Sequence, residues 1–397
     1  MSITHHQLTS QKHLFALPAN VHYINCATRG PFSLSVAQAG HAAIDGQLNP
    51  FGLPPDAFFS GAISVRELFS QLINANDPDR IAVISSVSYG MAVVARNLHR
   101  KPGIKAGQHI LQIDAEFPSD VYAWDRVTTG LGLTIKTVAM PQVPDGESVS
   151  ARWNEAILAA IEPDTAMVVV PHVHWMYGNR FDLVAIGERA RSVGAWLVVD
   201  GTQSVSALPF DVAAIRPDAL VCAAYKWMMG PYSTGLAYFG EAFDGGVPLE
   251  ETWMNRLNSN QFHRLTDYQP AYREKAYRYN MGEHSHFTHM PMLEAALTQL
   301  MGWQPERIQT YCAGLLDEHL PAFARLGCRI EPAAGRGNHL VGVWLPETAD
   351  PMAVQHVLQQ KRVSVSARGR ALRVAPNVYN EPEDIAALTE ALAGCGF

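Results

Sequence analysis

The sequence predicts an α/β protein with a large, doubly wound, mostly parallel seven-stranded sheet and a smaller α+β domain at its C-terminal end. Seven short runs are apolar almost without interruption, which is typical of parallel strands that helices cover on both faces. Segments with helical spacing of apolar residues separate these runs, and this repetition indicates a sheet that binds ligands at the carboxyl ends of its strands. The predicted strands are residues 80–86, 109–114, 133–140, 166–173, 195–200, 219–225 and 235–240.

Helical patterns account for most of the segments around these strands. The segment 181–194 has apolar residues at helical spacing, and Gly194 ends the pattern. The other helices predicted in this part of the chain are residues 33–48, 57–76, 88–98, 119–127 and 150–161.

The pattern changes from about Met290, where a long helix leads into a mixture of helices and short strands. We therefore expect a large domain over residues 20–260 and a small domain over residues 261–397, to which the N-terminal segment 1–19 is added. The predicted elements of the small domain are helices at 291–303, 309–326, 351–360 and 383–394, strands near 328–331 and 339–346, and a strand pair flanking Arg368 and Arg370.

Composition limits the classes of protein that fit this chain of 397 residues. It is 48% hydrophobic and 17% charged, and a charged share below the usual quarter or so is mild support for an oligomer. A net charge of -7 and the absence of Lys/Arg runs give no basis for binding nucleic acid. No apolar run approaches the roughly 18 residues that span a membrane. The N-terminus lacks the apolar stretch of a signal peptide, and the cysteines are odd in number and scattered, as in a reduced cytoplasmic protein; they are Cys26, Cys222, Cys312, Cys328 and Cys395.

A carboxylate and a lysine follow two of the predicted strands. Asp200 ends the run AWLVVD, and Lys226 follows the run ALVCAAY. Taken alone, Asp200 could cap a turn and Lys226 could be a solvated loop residue. The pair also suits pyridoxal phosphate, because a lysine amine forms an imine with its aldehyde and a carboxylate keeps its pyridine nitrogen protonated.

Other strand ends carry side chains that such a cofactor would use. The segment SSVSYG opens a helix, so the backbone N–H groups of Val87 and Ser88 with the Ser88 hydroxyl could bind a phosphate, although an ordinary helix cap is an equal alternative. Phe117 follows another strand and could lie against a cofactor ring or belong to the core. The segment HWMYGN follows a third strand. This ordered set favours a cofactor site more than any one of its members does.

These motifs resemble the class V aminotransferase family of fold type I pyridoxal-phosphate enzymes. That family includes cysteine desulfurases, selenocysteine lyase-like proteins, isopenicillin N epimerase-like proteins and kynureninase. The similarity runs from INCATRGP near the start to LRVAPNVYNEPEDI near the end, and its most specific part is VVDGTQSV followed by YK and GPYSTG. The resemblance implies the fold type I architecture and pyridoxal 5'-phosphate as cofactor.

The resemblance also implies roles for single residues on the cofactor side. It makes Lys226 the Schiff-base lysine and Asp200 the partner of the pyridine nitrogen, and it gives Gln203 a hydrogen bond to the phenolic oxygen. Val87 and Ser88 match the phosphate-binding turn. Departures from the family are also present: phenylalanine replaces a ring-stacking histidine, and tryptophan replaces the desulfurase asparagine near the cofactor. The residues concerned are Phe117 and Trp175, and Tyr225 is expected to supply a phosphate hydrogen bond in place of a missing serine.

On the substrate side, the resemblance implies that Arg373 binds the substrate carboxylate, a role that suits its rigid bidentate guanidinium. Asn25 and Thr28 match a loop that lines the substrate site. The segment 279–287, with Glu283, resembles a loop that reaches the phosphate of the neighbouring subunit, which implies a homodimer with active sites at the subunit interface.

Two questions about other polar residues arise from the same stretches. His172 and His174, and the cluster 283–286, raise a metal hypothesis, but neither has HExxH spacing or a third ligand, so we expect no metal and a place near cofactor or substrate for a histidine such as His174. Arg368 and Arg370 could help to hold a dicarboxylate or could face solvent.

The expected function is a pyridoxal-phosphate enzyme that acts on an amino acid through a lysine Schiff base and a Cα carbanion. The segment VSVSARGRALRVAP has no cysteine, so the persulfide chemistry of desulfurases is not expected. The sequence is equally compatible with an aminotransferase and with a lyase of the Cβ–S or β-elimination type. Epimerisation and a non-catalytic protein of this fold are the alternatives. A nicotinamide-dependent enzyme is disfavoured because no GxGxxG follows the early strands.

Overall fold

The computed structural model of the chain describes residues 7–396, so parts of the predicted segments 1–19 and 261–397 lie outside the described residues. All seven strands predicted for the large sheet are confirmed. The strands are β1 (His22–Tyr23), β2 (Ile81–Ile84), β3 (His109–Ile113), β4 (Thr134–Val138), β5 (Thr165–Pro171), β6 (Trp196–Asp200), β7 (Ala219–Ala223), β8 (Gly235–Phe239), β9 (Arg329–Ile330), β10 (Val341–Trp344), β11 (Val363–Ser364), β12 (Ser366–Arg368) and β13 (Ala371–Val374).

The large sheet has the strand order β2-β8-β7-β6-β5-β3-β4. Strand β8 runs antiparallel to both of its neighbours, and the other pairs are parallel. Apolar side chains alternate between the two faces, so that Val168 and Val170 of β5 join one buried cluster while Met167 and Val169 join another. The continuous apolar runs of the sequence therefore reflect a sheet that is buried on both faces, as predicted.

Helices flank this sheet and begin where the sequence offers capping residues. Ser86, Ser148 and Asp182 each accept a hydrogen bond from a backbone N–H in the first turn of the helix that follows. The helices are α1 (Leu34–Gln47), α2 (Ala57–Leu72), α3 (Val87–Asn97), α4 (Pro118–Leu131), α5 (Val149–Ala160), α6 (Leu183–Ser192), α7 (Val212–Ile215), α8 (His289–Trp303), α9 (Pro305–Asp317), α10 (Leu320–Arg325), α11 (Pro351–Gln360) and α12 (Pro382–Ala393).

The helix predicted over residues 309–326 is wrong as a single element, because two helices, α9 and α10, occupy this stretch. Pro321 lies in the first turn of α10. Proline lacks the N–H that a continuous helix needs and its ring clashes with the preceding turn, but it is tolerated where a helix begins. The chain therefore ends one helix and starts another.

The C-terminal part forms a separate antiparallel sheet with the order β12-β13-β10-β9. The N-terminal strand β1 pairs in parallel with β11, so the start of the chain joins its C-terminal part. Helix α8 instead packs against α1 and α2. The domain boundary near residue 260 stays a prediction.

No helix among residues 7–396 is long and apolar enough to cross a membrane.

Candidate active site

A cavity of about 250 Å³ lies at the carboxyl ends of β6 and β7, beside the start of α3. Its position matches the expected ligand-binding edge of a doubly wound sheet. Its volume suits a ligand smaller than a typical drug molecule, for which pockets of roughly 300–1,000 Å³ are usual. Eight of the residues predicted for the site line this cavity, namely Val87, Ser88, Phe117, Trp175, Asp200, Gln203, Tyr225 and Lys226.

Asp200 and Lys226 reach the cavity because their strands are neighbours in the sheet. Asp200 pairs with Val221 across the β6–β7 ladder, and Lys226 lies in the turn that follows β7. One carboxylate oxygen of Asp200 accepts a hydrogen bond from the backbone N–H of Thr202 at 2.8 Å. Both side chains are buried. The two residues named from sequence thus share one enclosed space.

The environment of Lys226 favours a neutral amine. Burial, helped by the positive charges of Arg373 and Arg368, lowers the pKa of Lys226 to about 8, although the negative charge of Asp200 opposes the change. A charged ammonium loses solvation in a buried site, and nearby positive charges add to this cost. At pH 7 about a tenth of the amine is therefore neutral and available as a nucleophile or base, far more than for an exposed lysine.

Two further acids, which the sequence reasoning did not identify as site residues, lie beside this pair. Burial raises the pKa of Glu116 to about 8. Burial also raises the pKa of Asp120 well above its ordinary value, and the charges of Asp200 and Glu116 add to the rise. The Asp120 carboxyl lies within hydrogen-bonding reach of Asp200, and neither of its oxygens accepts a hydrogen bond from a described residue.

Among the described residues, hydrogen-bond donors reach Asp200 but do not reach Asp120. Asp200 accepts an N–H bond and lies near the Lys226 amine, whereas Asp120 is fully buried without a donor. A buried acid without donors is stable only when it is protonated, so Asp120 keeps a proton that it can donate to the neighbouring Asp200 side chain. The sequence signal was the i, i+4 spacing of Glu116 and Asp120 just past β3.

The start of α3 offers an anion-binding edge of the cavity. The N–H groups of Val87 and Ser88 are the first two of the helix and have no acceptor within it. The Ser88 hydroxyl donates to the hydroxyl of Ser119 at 3.0 Å, and both residues line the cavity. Such N–H groups and hydroxyls, together with the positive end of the helix dipole, favour a phosphate.

Aromatic side chains form much of the cavity wall. The rings of Phe117 and Trp175 meet edge to face with centroids 5.4 Å apart, and the Lys226 amine lies 5.5 Å from the Phe117 centroid. On another side, Tyr225 and Tyr232 have centroids 4.6 Å apart. These rings exclude water and present flat apolar surfaces on which a cofactor ring can pack.

Gln203 lies beside Asp200 with its amide largely oriented by the protein. Its side-chain nitrogen donates to the carbonyl of Ala27 at 3.2 Å, and its oxygen accepts from the indole N–H of Trp227 at 2.9 Å. An amide nitrogen has two N–H groups, so one donor remains for a ligand oxygen.

The residues predicted for the substrate side form a connected chain next to the cavity. Arg373, on strand β13 of the small sheet, donates to the Trp175 carbonyl at 3.0 Å and to the Thr28 hydroxyl at 2.5 Å. The Thr28 hydroxyl in turn donates to Asn25 at 2.8 Å. Arg373 is buried, and burial lowers its pKa to about 9, with Arg368 adding to the effect. Asn25 thus acts through Thr28 and does not line the cavity.

Two other predicted residues, His174 and Glu283, lie apart from both the cavity wall and the hydrogen-bonded chain of Arg373. His174 is fully buried and packs against Trp153 and Tyr177, with ring centroids 5.3 and 5.2 Å away. The chain turns back after β5, where the backbone of His174 pairs with Asn179, and this turn directs the ring into the core. Glu283 is exposed and lies outside the residues that line the cavity.

Several lining residues were missed although their motifs were noted. Tyr232, Ser233 and Thr234 belong to the segment GPYSTG, and Thr202 lies two residues after Asp200. The hydroxyl groups of Tyr232, Ser233 and Thr234 lie in the loop that precedes β8, and the sheet order brings them beside Lys226. A run of small and hydroxyl-bearing residues in the most family-specific segment was the available signal.

Pyridoxal phosphate fits these residues. Lys226 supplies an amine with a lowered pKa, Asp200 supplies a buried carboxylate, and the free N–H groups of Val87 and Ser88 supply a place for phosphate. No group of three metal-ligating side chains occurs among residues 7–396.

Comparison with known proteins agrees with this chemistry. The family model described as "Aminotransferase class-V" matches residues 58–383. An uncharacterized aminotransferase, YcbU, of Bacillus subtilis (strain 168) is 26% identical over 321 residues, which are 81% of this chain and 80% of the relative. Isopenicillin N epimerase of Amycolatopsis lactamdurans is 30% identical over 192 residues, which cover 48% of this chain and 47% of that enzyme.

Solved structures resemble the whole fold. A mutant of C-DES with glycine covalently linked to its PLP cofactor has a TM-score of 0.83 at 18% identity, covering 97% of this chain and 99% of the other. The cysteine desulfurase CsdA of Escherichia coli has a TM-score of 0.79 at 18% identity, covering 96% of each chain. At this level of identity the likeness concerns the fold.

Proposed function

This chain belongs to the aminotransferase class-V family of pyridoxal-phosphate-dependent enzymes, and we propose that it acts on an amino acid through Lys226 and Asp200. The observation that carries the proposal is a buried lysine with a lowered pKa in the same cavity as a buried carboxylate. A lysine is rarely buried unless it has a partner or a chemical role, and perturbed pKa values concentrate at functional sites.

Different residues of the cavity would bind different parts of the cofactor. The N–H groups of Val87 and Ser88 would bind the phosphate, Gln203 would donate to the phenolic oxygen, and Phe117 would pack against the ring. The carboxylate of Asp200 would pair with the pyridine nitrogen. When bound, the cofactor supplies an electron-withdrawing ring that weakens the bonds at the substrate Cα.

The chain's own groups then act on the substrate. Arg373 binds the substrate carboxylate, which orients the Cα bonds relative to the Lys226 amine. The neutral Lys226 amine accepts the Cα proton, because its pKa of about 8 is close to the operating pH of an efficient base. Phe117 and Trp175 exclude water from this proton transfer.

The reaction that follows proton removal is either transamination or a β-elimination of the Cβ–S lyase type. Cysteine-based sulfur transfer is disfavoured because Cys26, Cys222, Cys312 and Cys328 are buried, and burial raises the pKa of each thiol. Such thiols are poor nucleophiles. Burial also raises the pKa of Cys395, which is near the C-terminal end and far along the chain from the cavity residues.

Covalent labelling tests the proposed role of Lys226. Protein loaded with pyridoxal phosphate is reduced with borohydride and digested, and the labelled peptide is identified by mass spectrometry. We expect the label on Lys226 and its loss in Lys226→Ala, whereas Lys361→Ala, which removes an exposed lysine, keeps it. Labelling of Lys226→Ala at wild-type level would refute the assignment.

A panel of amino acids then separates the reactions. Each is mixed with the loaded protein, and the cofactor absorbance, keto acid, ammonia, sulfide and loss of optical activity are measured. Keto acid formed in proportion to an amino acceptor identifies an aminotransferase, and keto acid with ammonia or sulfide identifies a lyase. Loss of optical activity alone identifies the epimerase alternative, and a loaded protein that responds to no amino acid supports the non-catalytic one.

A homodimer is the proposed active unit. Glu283 is exposed and outside its own cavity, which suits a residue that reaches the phosphate of a neighbouring subunit. Helix α1 and the turn after it expose apolar side chains, namely Leu34, Ile44, Leu48 and Phe51. Light scattering behind a sizing column should give twice the 43.5 kDa of one chain, and a monomeric mass would contradict the proposal. The free cysteines suit a reducing compartment such as the cytoplasm.

A further inference from the structure

Two arginines on one face of the small sheet lie close to Lys226. Arg373 pairs with Ser366 across β12 and β13, and Arg368 lies two residues beyond Ser366, so their side chains share a face of the sheet. The Arg368 guanidinium lies 5.6 Å from the ring centroid of Trp175, which lines the cavity. Both arginines are near enough to lower the pKa of Lys226.

Arg373 is buried and Arg368 is half-buried, and both differ from three buried arginines elsewhere in the structure. Arg66, Arg80 and Arg336 each have an aspartate carboxylate within 4 Å. No carboxylate lies within that distance of Arg368 or Arg373 in the described part of the chain. A buried cation such as Arg373 is normally paired, and the half-buried Arg368 adds a second positive charge, so an anionic ligand would balance the charge here.

The hydrogen-bond donors of both guanidinium groups are only partly used. Arg373 donates to Trp175 and Thr28, and its Nε is buried without an acceptor. Arg368 donates to the carbonyl of its neighbour Ala367, and its Nε is also buried without an acceptor. A guanidinium carries five N–H donors, so each group can still bind a carboxylate.

We propose that Arg368 binds a second carboxylate, on the substrate side chain, and makes this enzyme selective for dicarboxylic amino acids. The inference rests on the proposed function, in which Arg373 takes the α-carboxylate and Lys226 the proton of Cα. Arg368 lies on the same sheet face as Arg373 and packs against Trp175, a residue of the cavity wall, so both guanidinium groups are close enough for one substrate to contact them.

Arg370 does not share this role, although the sequence made both Arg368 and Arg370 candidates for binding a dicarboxylate. It lies in the turn between β12 and β13, is exposed, and donates to the carbonyl of Pro346. Arg368 and Arg370 therefore form a matched pair of the same residue type, two positions apart, of which one faces the site.

The test compares ligands that differ by one charge and do not react. Succinate and its half-amide succinamate have the same length, and neither carries an amine. Calorimetric titration of the cofactor-loaded protein should show that succinate binds at least tenfold more tightly, a difference of about 1.4 kcal/mol. Arg368→Gln should abolish this preference, while Arg370→Gln should retain it.

The outcomes separate this inference from the proposed function. Equal affinity of the wild-type protein for the two ligands would overturn the inference without any variant. Equal weakening of both ligands by Arg368→Gln would also overturn it, because the two arginines would then share one carboxylate. With amino acids, aspartate and glutamate should surpass asparagine and glutamine in kcat/KM by a similar factor. A cofactor spectrum that changes with neutral amino acids but shows no such preference would leave the proposed function intact.

Discussion

Replacement of Glu116 by glutamine tests the protonation of the acid cluster through the pH dependence of stability. Burial raises the pKa of Glu116 from 4.5 to about 8. Between these values the folded protein holds a proton that the unfolded chain has lost, so the free energy of unfolding falls as the pH rises. Each pH unit contributes about 1.4 kcal/mol, and the interval from pH 5.5 to 7.5 contributes roughly 3 kcal/mol.

Glutamine cannot lose this proton, and its amide oxygen can still accept the N–H of Phe117, which Glu116 accepts at 2.8 Å. The free energy of unfolding of cofactor-free protein is measured in urea at pH 5.5, 6.5 and 7.5. We expect Glu116→Gln to have a slope against pH that is less negative than the wild-type slope by about 1.4 kcal/mol per unit.

Burial is the main cause of the raised pKa of Asp120 and acts in both proteins, so most of the contribution of Asp120 cancels in this comparison. Glu347→Gln, which replaces an exposed glutamate, serves as the control and should keep the wild-type slope. If Glu116→Gln and wild type had equal slopes, Glu116 would be ionised in the folded protein, and the assignment of its proton would be wrong.

Three further outcomes follow from the site. The rate at which cofactor-free protein takes up pyridoxal phosphate, measured by stopped-flow absorbance, should rise through about pH 8, where the Lys226 amine loses its proton. Arg373→Gln should move the midpoint of this rise to higher pH, because the variant removes a positive charge that lowers the pKa of Lys226. Gly30→Ala places a Cβ 2.1 Å from the carbonyl oxygen of Lys226 and should lower the free energy of unfolding, measured in urea, by about 1–3 kcal/mol. Gly46→Ala, which adds a Cβ in open space, should leave this free energy unchanged. Asp120→Asn should retain cofactor affinity within about threefold in a fluorescence titration, because its amide can donate to the neighbouring carboxylate, whereas Asp120→Ala should weaken it about tenfold or more.

The turn at Gly30 illustrates how the N-terminal loop is held against the site. Its backbone N–H donates to the carbonyl of Tyr225 at 2.9 Å, and the lysine carbonyl fills the space where a side chain would lie. Only glycine permits this approach, so the loop with Asn25 and Thr28 depends on it for its position beside Arg373.

The sequence by itself determined the large sheet and the two central residues of its site. The seven strands were readable because a parallel sheet buried on both faces requires unbroken apolar runs, and these signals are local. Asp200 and Lys226 were readable because each directly follows such a run. The family-specific motifs around them added the residues that we propose for binding the phosphate, the ring and the substrate carboxylate.

Only the tertiary structure decided which polar side chains face the cavity and in which charge state. It turned His174 into the core, brought Glu116 and Asp120 beside Asp200, and directed Arg368 rather than Arg370 toward the site. The physical reason is that burial and charge proximity depend on segments far apart in sequence. A strand pattern shows where a chain turns, but the elements that pack around that turn set the solvation and the protonation of its side chains.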